Sequence, residues 1–164
     1  MVPEPAPSAR AARQTDVEQL VGMYLQAEAE LRPMRGGRVL LGLNRREPPL
    51  AASFAGQFED PRQLVVVATA GSDEGDVALG FGTCRTLALS DGERVGSIED
   101  LYVTPDARRR GAGRAMAELL VRWCSSEGCI GVDASALPGS RAVKSFFESE
   151  GFTARLLVMH RPLK

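Results

Sequence analysis

The segment from Val95 to Ser126 constrains the fold more than any other part of the chain. It opens with the β-rich run VGSIEDLYV and continues through the loop TPDARRRGAG. Apolar residues then recur at helical spacing, at Ala112, Ala115, Met116, Leu119, Leu120 and Trp123. This order predicts a strand, a glycine-containing loop and an amphipathic helix that begins near Gly111 and ends near Gly128. Phosphate-bearing ligands commonly bind at such strand-to-helix junctions.

The loop of this segment has the composition of an anion site. A helix that begins near Gly111 presents amide N–H groups without intrahelical acceptors and the positive end of its dipole. Gly111 and Gly113 leave that backbone accessible. The four nearby guanidinium groups, which can bond to phosphate oxygens, belong to Arg108, Arg109, Arg110 and Arg114. We therefore predict a bound phosphate, most simply a pyrophosphate.

Two common nucleotide-binding loops do not fit the same residues. A G-x-G-x-x-G pattern begun at Gly111 would need glycine or alanine where the chain has Met116. The chain also contains no G-K-[ST] sequence, which a Walker loop requires. The predicted phosphate group is therefore recognised in another way.

Composition narrows the class of protein and the kinds of partner. With 164 residues, 44% of them hydrophobic and 25% charged, the chain matches one globular domain, which we place at residues 10–164 after a flexible tail at 1–9. The formal charge of −1 predicts no nucleic-acid partner. No apolar run approaches the ~20 residues of a membrane span, so we expect no membrane partner and a cytoplasmic location. Three cysteines without paired spacing predict buried side chains and no metal site; they are Cys84, Cys124 and Cys129.

Hydrophobic periodicity gives the order of elements. A T-x-x-E pattern at Thr15 and Glu18 predicts the start of a helix over 15–31, residues 32–49 are irregular, and LAASFAGQFED is a short helix. Three antiparallel strands follow, at LVVVAT, VALGFGTCRTLAL and VGSIEDLYV. After the motif helix come a strand at CIGVDASA, a helix at RAVKSFFESEG and a final strand at FTARLLVMHRPL. This order predicts an α/β (α+β) fold with a mixed sheet and helices on its faces.

The motif also resembles that of a known superfamily. Val103 and Pro105, followed by Arg108, Gly111 and Gly113, match V-x-P and [RQ]-x-x-G-x-[GA], the pattern of the GNAT N-acetyltransferases. The layout is similar over residues 10–164, and the resemblance is strongest at 95–128. It implies a mostly antiparallel, splayed sheet of six to seven strands with about four helices.

The resemblance implies acetyl-CoA as cosubstrate and no metal. Its pyrophosphate would lie on the loop residues Arg108, Arg109, Arg110, Gly111, Ala112, Gly113 and Arg114. Its pantetheine arm would lie along the backbone of Leu101, Tyr102 and Val103. Ser140 stands where family members often place an asparagine that contacts the pantetheine, and serine retains a hydrogen-bonding group.

Two carboxylates precede the pantetheine segment. An amine must lose a proton before or during attack on a thioester, and a carboxylate can accept that proton. Glu99 occupies a position at which several relatives have a glutamate that acts as the general base, and Asp100 is the second choice. Alternation along a strand points the two side chains to opposite faces unless a bulge intervenes.

The usual general acid of the family is missing. Phe147 stands where relatives often have a tyrosine that protonates the leaving thiolate, and phenylalanine has no proton to give. Three explanations remain open: the thiolate leaves unprotonated, another residue such as Tyr102 donates, or the protein binds acyl-CoA without turnover. The helical pattern favours Phe146 and Phe147 as core residues, and His160 as an exposed residue rather than a base.

The function that follows is N-acetylation of a primary amine by direct attack in a ternary complex, because no cysteine lies in the motifs to form an acyl intermediate. The alternatives are a non-catalytic acyl-CoA sensor or regulatory module and an unrelated nucleotide-phosphate binder. Charges of both signs in residues 28–62 leave small amines, amino acid derivatives, aminoglycoside-like compounds and protein amines open as acceptors. The short segment after Gly151 leaves an open sheet edge, which a homodimer would close.

Overall fold

The computed structural model describes residues 6–70 and 77–163, which form a single sheet with helices on both faces. The strands are β1 (Ser8–Ala11), β2 (Gln63–Thr69), β3 (Ala78–Ala88), β4 (Arg94–Val103) and β5 (Val132–Ala134). They lie side by side in chain order, antiparallel from β1 to β4 and parallel between β4 and β5. The predicted class is confirmed, but the described residues contain five strands rather than six to seven.

The described residues contain five α-helices. They are α1 (Val17–Leu31), α2 (Gly37–Asn44), α3 (Leu50–Glu59), α4 (Ala112–Ser126) and α5 (Arg141–Ser149). On one face, α1 and α3 bury Leu20 and Phe54 against Phe81. On the other face, Met116 and Leu120 of α4 pack on Val66 with Phe147 of α5 in the same cluster. None of the helices within the described residues is both long and apolar enough to cross a bilayer.

The first strand lies partly in the predicted tail. Ser8 and Ala9 pair with Thr69 and Ala68 of β2, so ordered structure begins before Arg10, while residues 1–5 lie outside the described residues. The short run SARA has too few residues to show a strand period. The start of α1 also differs in detail, because the amide of Arg13 donates to Asp16 Oδ2 at 2.7 Å. The Asp16 carboxylate therefore closes the short 3-10 turn before α1, and no side chain caps α1 itself.

The sequence did not predict helix α2, because its segment is rich in residues that usually break helices. Residues 32–49 contain Gly, Arg and Pro, which predicted irregular structure, yet Gly37–Asn44 is helical. Gly36 precedes this helix with φ of +80°, a left-handed conformation that glycine adopts without strain. The chain therefore has five helices in its described part rather than about four.

The predicted final strand at 152–163 is wrong. These residues form no strand, and Thr153–Leu163 are exposed throughout. The sequence LLVM is β-rich, but β-propensity reports how well a side chain fits a half-buried pleated surface rather than an intrinsic backbone preference. No described part of the same chain provides such a surface for it.

Candidate active site

The C-terminal half of β4 has an open side. Parallel pairing with β5 covers only Gly96–Ile98, so β4 continues to Val103 without a neighbour on that side within the described residues. On its other side, the Thr104 amide donates to the Leu79 carbonyl at 2.9 Å. Because pairing in an antiparallel ladder alternates, Leu101 and Val103 direct their backbone groups away from β3, into the gap, and Tyr102 directs its own toward β3.

This open side leads to the start of α4. Arg109 and Gly111 have φ of +64° and +94°, and no side chain caps the helix. The first hydrogen bond of α4 runs from the Ala115 amide to the Gly111 carbonyl, at 3.0 Å. The amides of the preceding turn, Ala112 to Arg114, come before that bond and have the orientation that suits an anion.

The arginines of this loop have protein partners of their own. Arg108 Nη2 lies 2.8 and 2.7 Å from the two carboxylate oxygens of Glu30 on α1, and its Nε donates to the Val103 carbonyl at 3.0 Å. Arg114 Nε contacts Glu150 Oε1 at 2.9 Å. Two of the four predicted phosphate-binding arginines therefore form ion pairs that join the loop to α1 and to the end of α5. The role of all four in phosphate binding stays a prediction.

A β-bulge places both candidate carboxylates on one face of the sheet. Asp100 pairs with Thr83 and Ile98 with Cys84, so Glu99 is the extra residue of β4. Asp100 Oδ2 accepts from the Thr83 hydroxyl at 2.6 Å, and Glu99 Oε1 lies 2.7 Å from Arg85 Nε. Because positions 83 and 85 share a face of β3, the two carboxylates do as well. The opposite orientations expected from alternation are overridden by the bulge.

Glu99 has the environment of a base with a raised pKa. Burial raises the pKa of this carboxyl above its ordinary value of 4.5, the Arg85 charge opposes that shift, and the charge of Asp100 adds to it. Arg46 also acts to lower the pKa. The side chain is 27% exposed, so it remains within reach of a substrate or water. Its carboxylate can accept a proton at a higher pH than a fully solvated glutamate does.

Asp100 is held by a buried arginine that the sequence did not single out. Arg46, in the connection between α2 and α3, is 8% exposed, and its Nη2 contacts Asp100 Oδ2 at 3.0 Å. Its Nη1 donates to Gln57 Oε1 at 2.5 Å, and its guanidinium lies 3.9 Å from the centre of the Phe54 ring. Together with the Thr83 hydroxyl, this guanidinium engages Asp100 Oδ2 in the structure. Nothing in the local sequence around Arg46 indicates this role.

Tyr102 and Phe147 do not supply an evident general acid. The Tyr102 hydroxyl donates to Glu30 Oε1 at 2.9 Å. Burial and the Glu30 hydrogen bond and charge raise the pKa of this phenol, although Arg108 opposes the shift, so it gives up its proton less readily. Phe147 is buried between Phe146 and Phe152, at ring-centre distances of 5.3 and 5.1 Å, which confirms it as a core residue.

The remaining predicted positions lie at the edges of this site or away from it. Ser140 is the residue before α5, and its carbonyl accepts from the Lys144 amide. Cys84 and Cys124 are buried, as predicted, with their sulfur atoms 3.3 Å apart, whereas Cys129 is only half-buried. Within residues 6–70 and 77–163, no group of three or more His, Cys, Asp or Glu side chains could hold a metal ion. His160 is exposed.

The family model described as "Acetyltransferase (GNAT) family" matches residues 29–152. The chain belongs to the GNAT acetyltransferase family. The matched range runs from the end of α1 through β4, the loop and α4 to Phe152, three residues beyond the end of α5. The chain is therefore an enzyme of the N-acetyltransferase class. No curated protein sequence matches it significantly.

Solved structures share the fold along nearly the whole chain. An acetyltransferase from Trypanosoma brucei is 21% identical, with a TM-score of 0.66 over 96% of this chain and 99% of its own. AAC(6')-Iy, in complex with the bisubstrate analogue CoA-S-monomethyl-acetylneamine, is 18% identical, with a TM-score of 0.71 over 95% and 97%. An aminoglycoside acetyltransferase from an uncultured soil metagenomic sample, in complex with sisomicin, is 17% identical, with a TM-score of 0.69 over 96% and 95%.

The residues of this GNAT chain fit acetyl-CoA as the acetyl donor. The uncapped start of α4 suits a pyrophosphate, and the Leu101 backbone groups and the Val103 amide face an open gap, as an added extended chain requires. The Val103 carbonyl already accepts from Arg108 Nε. The two features are close together in the chain, because β4 ends at Val103, only a few residues before the loop 108–114. A donor that carries both a phosphate and an amide-containing arm matches both features at once.

Proposed function

We propose that this GNAT enzyme transfers the acetyl group of acetyl-CoA to a primary amine by direct attack in a ternary complex. The observation that carries the proposal is the arrangement along β4. Glu99 stands in the bulge, the open backbone of Leu101 and the Val103 amide follow, and the uncapped start of α4 comes next. Base, arm site and phosphate site thus follow one another on a single strand and its loop.

On the donor side, the backbone would bind acetyl-CoA and the arginines would balance the charge of its phosphates. The amides of Ala112 to Arg114 would bind the pyrophosphate, and Leu101 and Val103 would hydrogen-bond to the pantetheine arm. Arg109 and Arg110 would add positive charge beside this site. Bound acetyl-CoA would supply the activated acetyl group.

On the acceptor side, Glu99 takes a proton from the attacking nitrogen, directly or through a water molecule. Its raised pKa places it closer to neutral pH, where proton transfer by a carboxylate is more effective. Asp100 is the weaker second base, because Arg46 and Thr83 already bond to its Oδ2. Because the pKa of the Tyr102 phenol is raised, departure of the thiolate without a dedicated acid is the simplest course.

The acceptor enters from the face that carries α1 to α3. Glu99 and Asp100 lie on this face, and each is paired with an arginine, so the face carries charges of both signs. Two of the solved relatives are in complex with sisomicin and with a CoA-acetylneamine analogue, so a small-molecule amine is the acceptor class that the proposal favours. Protein amines form the second class.

The test is release of free coenzyme A from acetyl-CoA in the presence of a panel of amines. The panel contains polyamines, amino acid derivatives, aminoglycosides and peptides with a free N-terminus or lysine. We expect release that saturates with at least one amine, and acetyl-CoA should raise the melting temperature more than ATP does.

Two outcomes would overturn the proposal. Stabilisation by acetyl-CoA without coenzyme A release on any amine would identify a sensor or regulatory module instead. Stabilisation by ATP but not by acetyl-CoA would identify an unrelated nucleotide-phosphate binder.

A further inference from the structure

The three cysteines of the chain form one cluster near the end of α4. Cys84 of β3 and Cys124 of α4 are 1% and 0% exposed, and their sulfur atoms lie 3.3 Å apart. The Cys129 thiol is in hydrogen-bonding contact with the Cys124 thiol. All three side chains are free thiols. Cys124 therefore contacts a thiol on either side, and the three sulfur atoms form a chain.

The packing of α4 on the sheet keeps Cys84 and Cys124 in contact. The Cys124 side chain lies over Gly96 of β4, where the Cβ of any other residue would collide with its sulfur atom. The sulfur atoms of a disulfide lie about 2 Å apart, so the observed 3.3 Å has to shorten by roughly 1.3 Å. Two reactive groups that a fold holds in contact react as if at very high concentration. Cys84 and Cys124 are therefore placed to form a disulfide.

Cys129 is the member of the cluster that a small solute can reach. It is half-buried, whereas the other two cysteines are enclosed by the core. Burial and Cys124 raise the pKa of the Cys129 thiol, although the Arg94 charge opposes the shift, so its reaction is slow at neutral pH. Exposure rather than acidity thus makes it the first thiol to meet a dissolved oxidant.

Cys124 is the member that attacks most readily once its neighbour is oxidised. The hydrogen bond from the Cys84 thiol lowers the pKa of Cys124, burial opposes this effect, and the hydrogen bond from Cys129 adds to it. The same contact with Cys124, together with burial, raises the pKa of Cys84. Disulfides form by attack of a thiolate, so the middle cysteine of the cluster is the nucleophile.

We propose that the cluster is a peroxide-sensitive site in which Cys84 and Cys124 form a reversible disulfide. Cys129 attacks one oxygen of hydrogen peroxide, the O–O bond breaks, and a sulfenic acid and water form. Cys124 attacks that sulfur, and the hydroxyl group leaves with the Cys124 proton as a second water. Cys84 then attacks Cys124, and its proton passes to Cys129, which leaves as a thiol. Two thiols and one peroxide thus give one disulfide and two waters.

The disulfide would form beside two parts of the proposed active site. Cys84 pairs with Ile98, the residue before the bulge that carries Glu99. Cys124 belongs to α4, whose start is the proposed phosphate site. The bond would therefore tie the strand that defines the bulge to the helix that begins at the loop. The disulfide chemistry itself does not depend on the proposed function, so it can be tested without an acceptor amine.

The experiment treats the folded protein with hydrogen peroxide, blocks the remaining thiols with N-ethylmaleimide and maps the bonds by mass spectrometry. Cleavage after Glu127 separates Cys124 from Cys129, so the two candidate partners of Cys124 are distinguished. We expect a bond between Cys84 and Cys124, a free thiol at Cys129, and three thiols again after treatment with dithiothreitol. Three thiols left free, oxidation confined to Cys129 or a final bond between Cys124 and Cys129 would overturn the proposal.

Two variants test the route of oxidation. Cys129→Ser should form the buried disulfide at least about tenfold more slowly, because it lacks the accessible thiol. Cys124→Ala should leave Cys129 as a sulfenic acid, which dimedone would label, and Cys84 as a thiol. The substitution at the half-buried position keeps the test available if Cys124→Ala does not fold. Equal rates for Cys129→Ser and the wild type would overturn entry of the oxidant through Cys129.

Discussion

The two sides of the proposed active site are built from different parts of the polypeptide. The donor side, which comprises Leu101 to Val103 and the loop 108–114, offers mainly backbone groups. The acceptor side, around Glu99, Asp100 and Arg46, consists of side chains in ion pairs that join separate elements. A backbone site depends on local conformation, whereas a side-chain site depends on which elements meet.

Substitutions on the two sides should therefore have different effects on binding and stability. On the donor side, most side chains can change without loss of the binding groups, provided that the loop keeps its backbone conformation. On the acceptor side, removing one partner leaves the other charge without compensation. The donor side should therefore respond to changes at glycine, and the acceptor side to changes at charged residues.

The largest effect is expected from Glu99→Gln. Loss of a general base should lower kcat/KM by about 10²- to 10⁴-fold, with little change in the affinity for acetyl-CoA. Because burial raises the pKa of Glu99 above 4.5, the wild type should lose activity as the pH falls toward that raised value. This acidic limb should be absent from the Gln variant. Steady-state kinetics across pH would check both points.

Glu93→Gln is the matched control for this substitution. Glu93 lies in the turn between β3 and β4, and its backbone rather than its carboxylate closes that turn. It should retain the wild-type pH profile. An unchanged profile in Glu99→Gln itself would show that the acceptor side holds its base elsewhere.

The second effect is expected from Arg46→Met. Removing a buried arginine leaves Asp100 without its charge partner, which should lower the free energy of unfolding by about 3 kcal/mol. The acceptor KM should rise, and the acetyl-CoA affinity should stay the same. Urea unfolding and binding titrations measure these quantities.

Arg62→Met provides the comparison on the surface. Arg62 also pairs with an aspartate, Asp60, but its side chain is exposed, so its loss should change stability little. Equal destabilisation by the two substitutions would mean that the Arg46 pair is no more important than a solvated one.

The smallest effect is expected from Gly111→Ala. Gly111 has φ of +94°, and Gly92, in the turn between β3 and β4, has φ of +91°. An alanine at either position should cost about 1–2 kcal/mol of stability because of the left-handed conformation. Only the change at 111 adds a methyl group at the proposed phosphate site, so it alone should weaken acetyl-CoA binding, by about tenfold or 1.4 kcal/mol. Calorimetry on both variants tests this, and equal affinities would place the phosphate elsewhere.

The sequence predicted the local structure of the proposed donor side better than that of the acceptor side for a physical reason. The strand, the loop and α4 are consecutive, so the periodicity and the glycines of one segment define them. Arg46 and Asp100 are far apart in the chain, and only the packing of α3 against the sheet brings them together. The bulge at Glu99 could not be predicted from the sequence either, because an extra residue in one strand is defined only by its register with the neighbouring strand.

Elements at the periphery were predicted least well. The strand β1 is four residues long and has no visible period, and α2 lies among residues that usually break helices. At residues 152–163, the β-rich composition was identified correctly, but a strand needs a partner that the described part of this chain does not provide. In each case, the local pattern lacked the information that tertiary contacts supply.

The bulge has a consequence for how such a site can arise. If Glu99 were deleted rather than replaced, Ile98 would still face Cys84 and Asp100 would still face Thr83, now in one uninterrupted ladder. The strand would keep its length on the partner and its apolar face, so the fold should survive the loss. Insertion or deletion of a single codon would therefore convert an ordinary hairpin into one that carries a carboxylate in a bulge, or the reverse. A proton-accepting group at this position can be gained or lost without a change of fold.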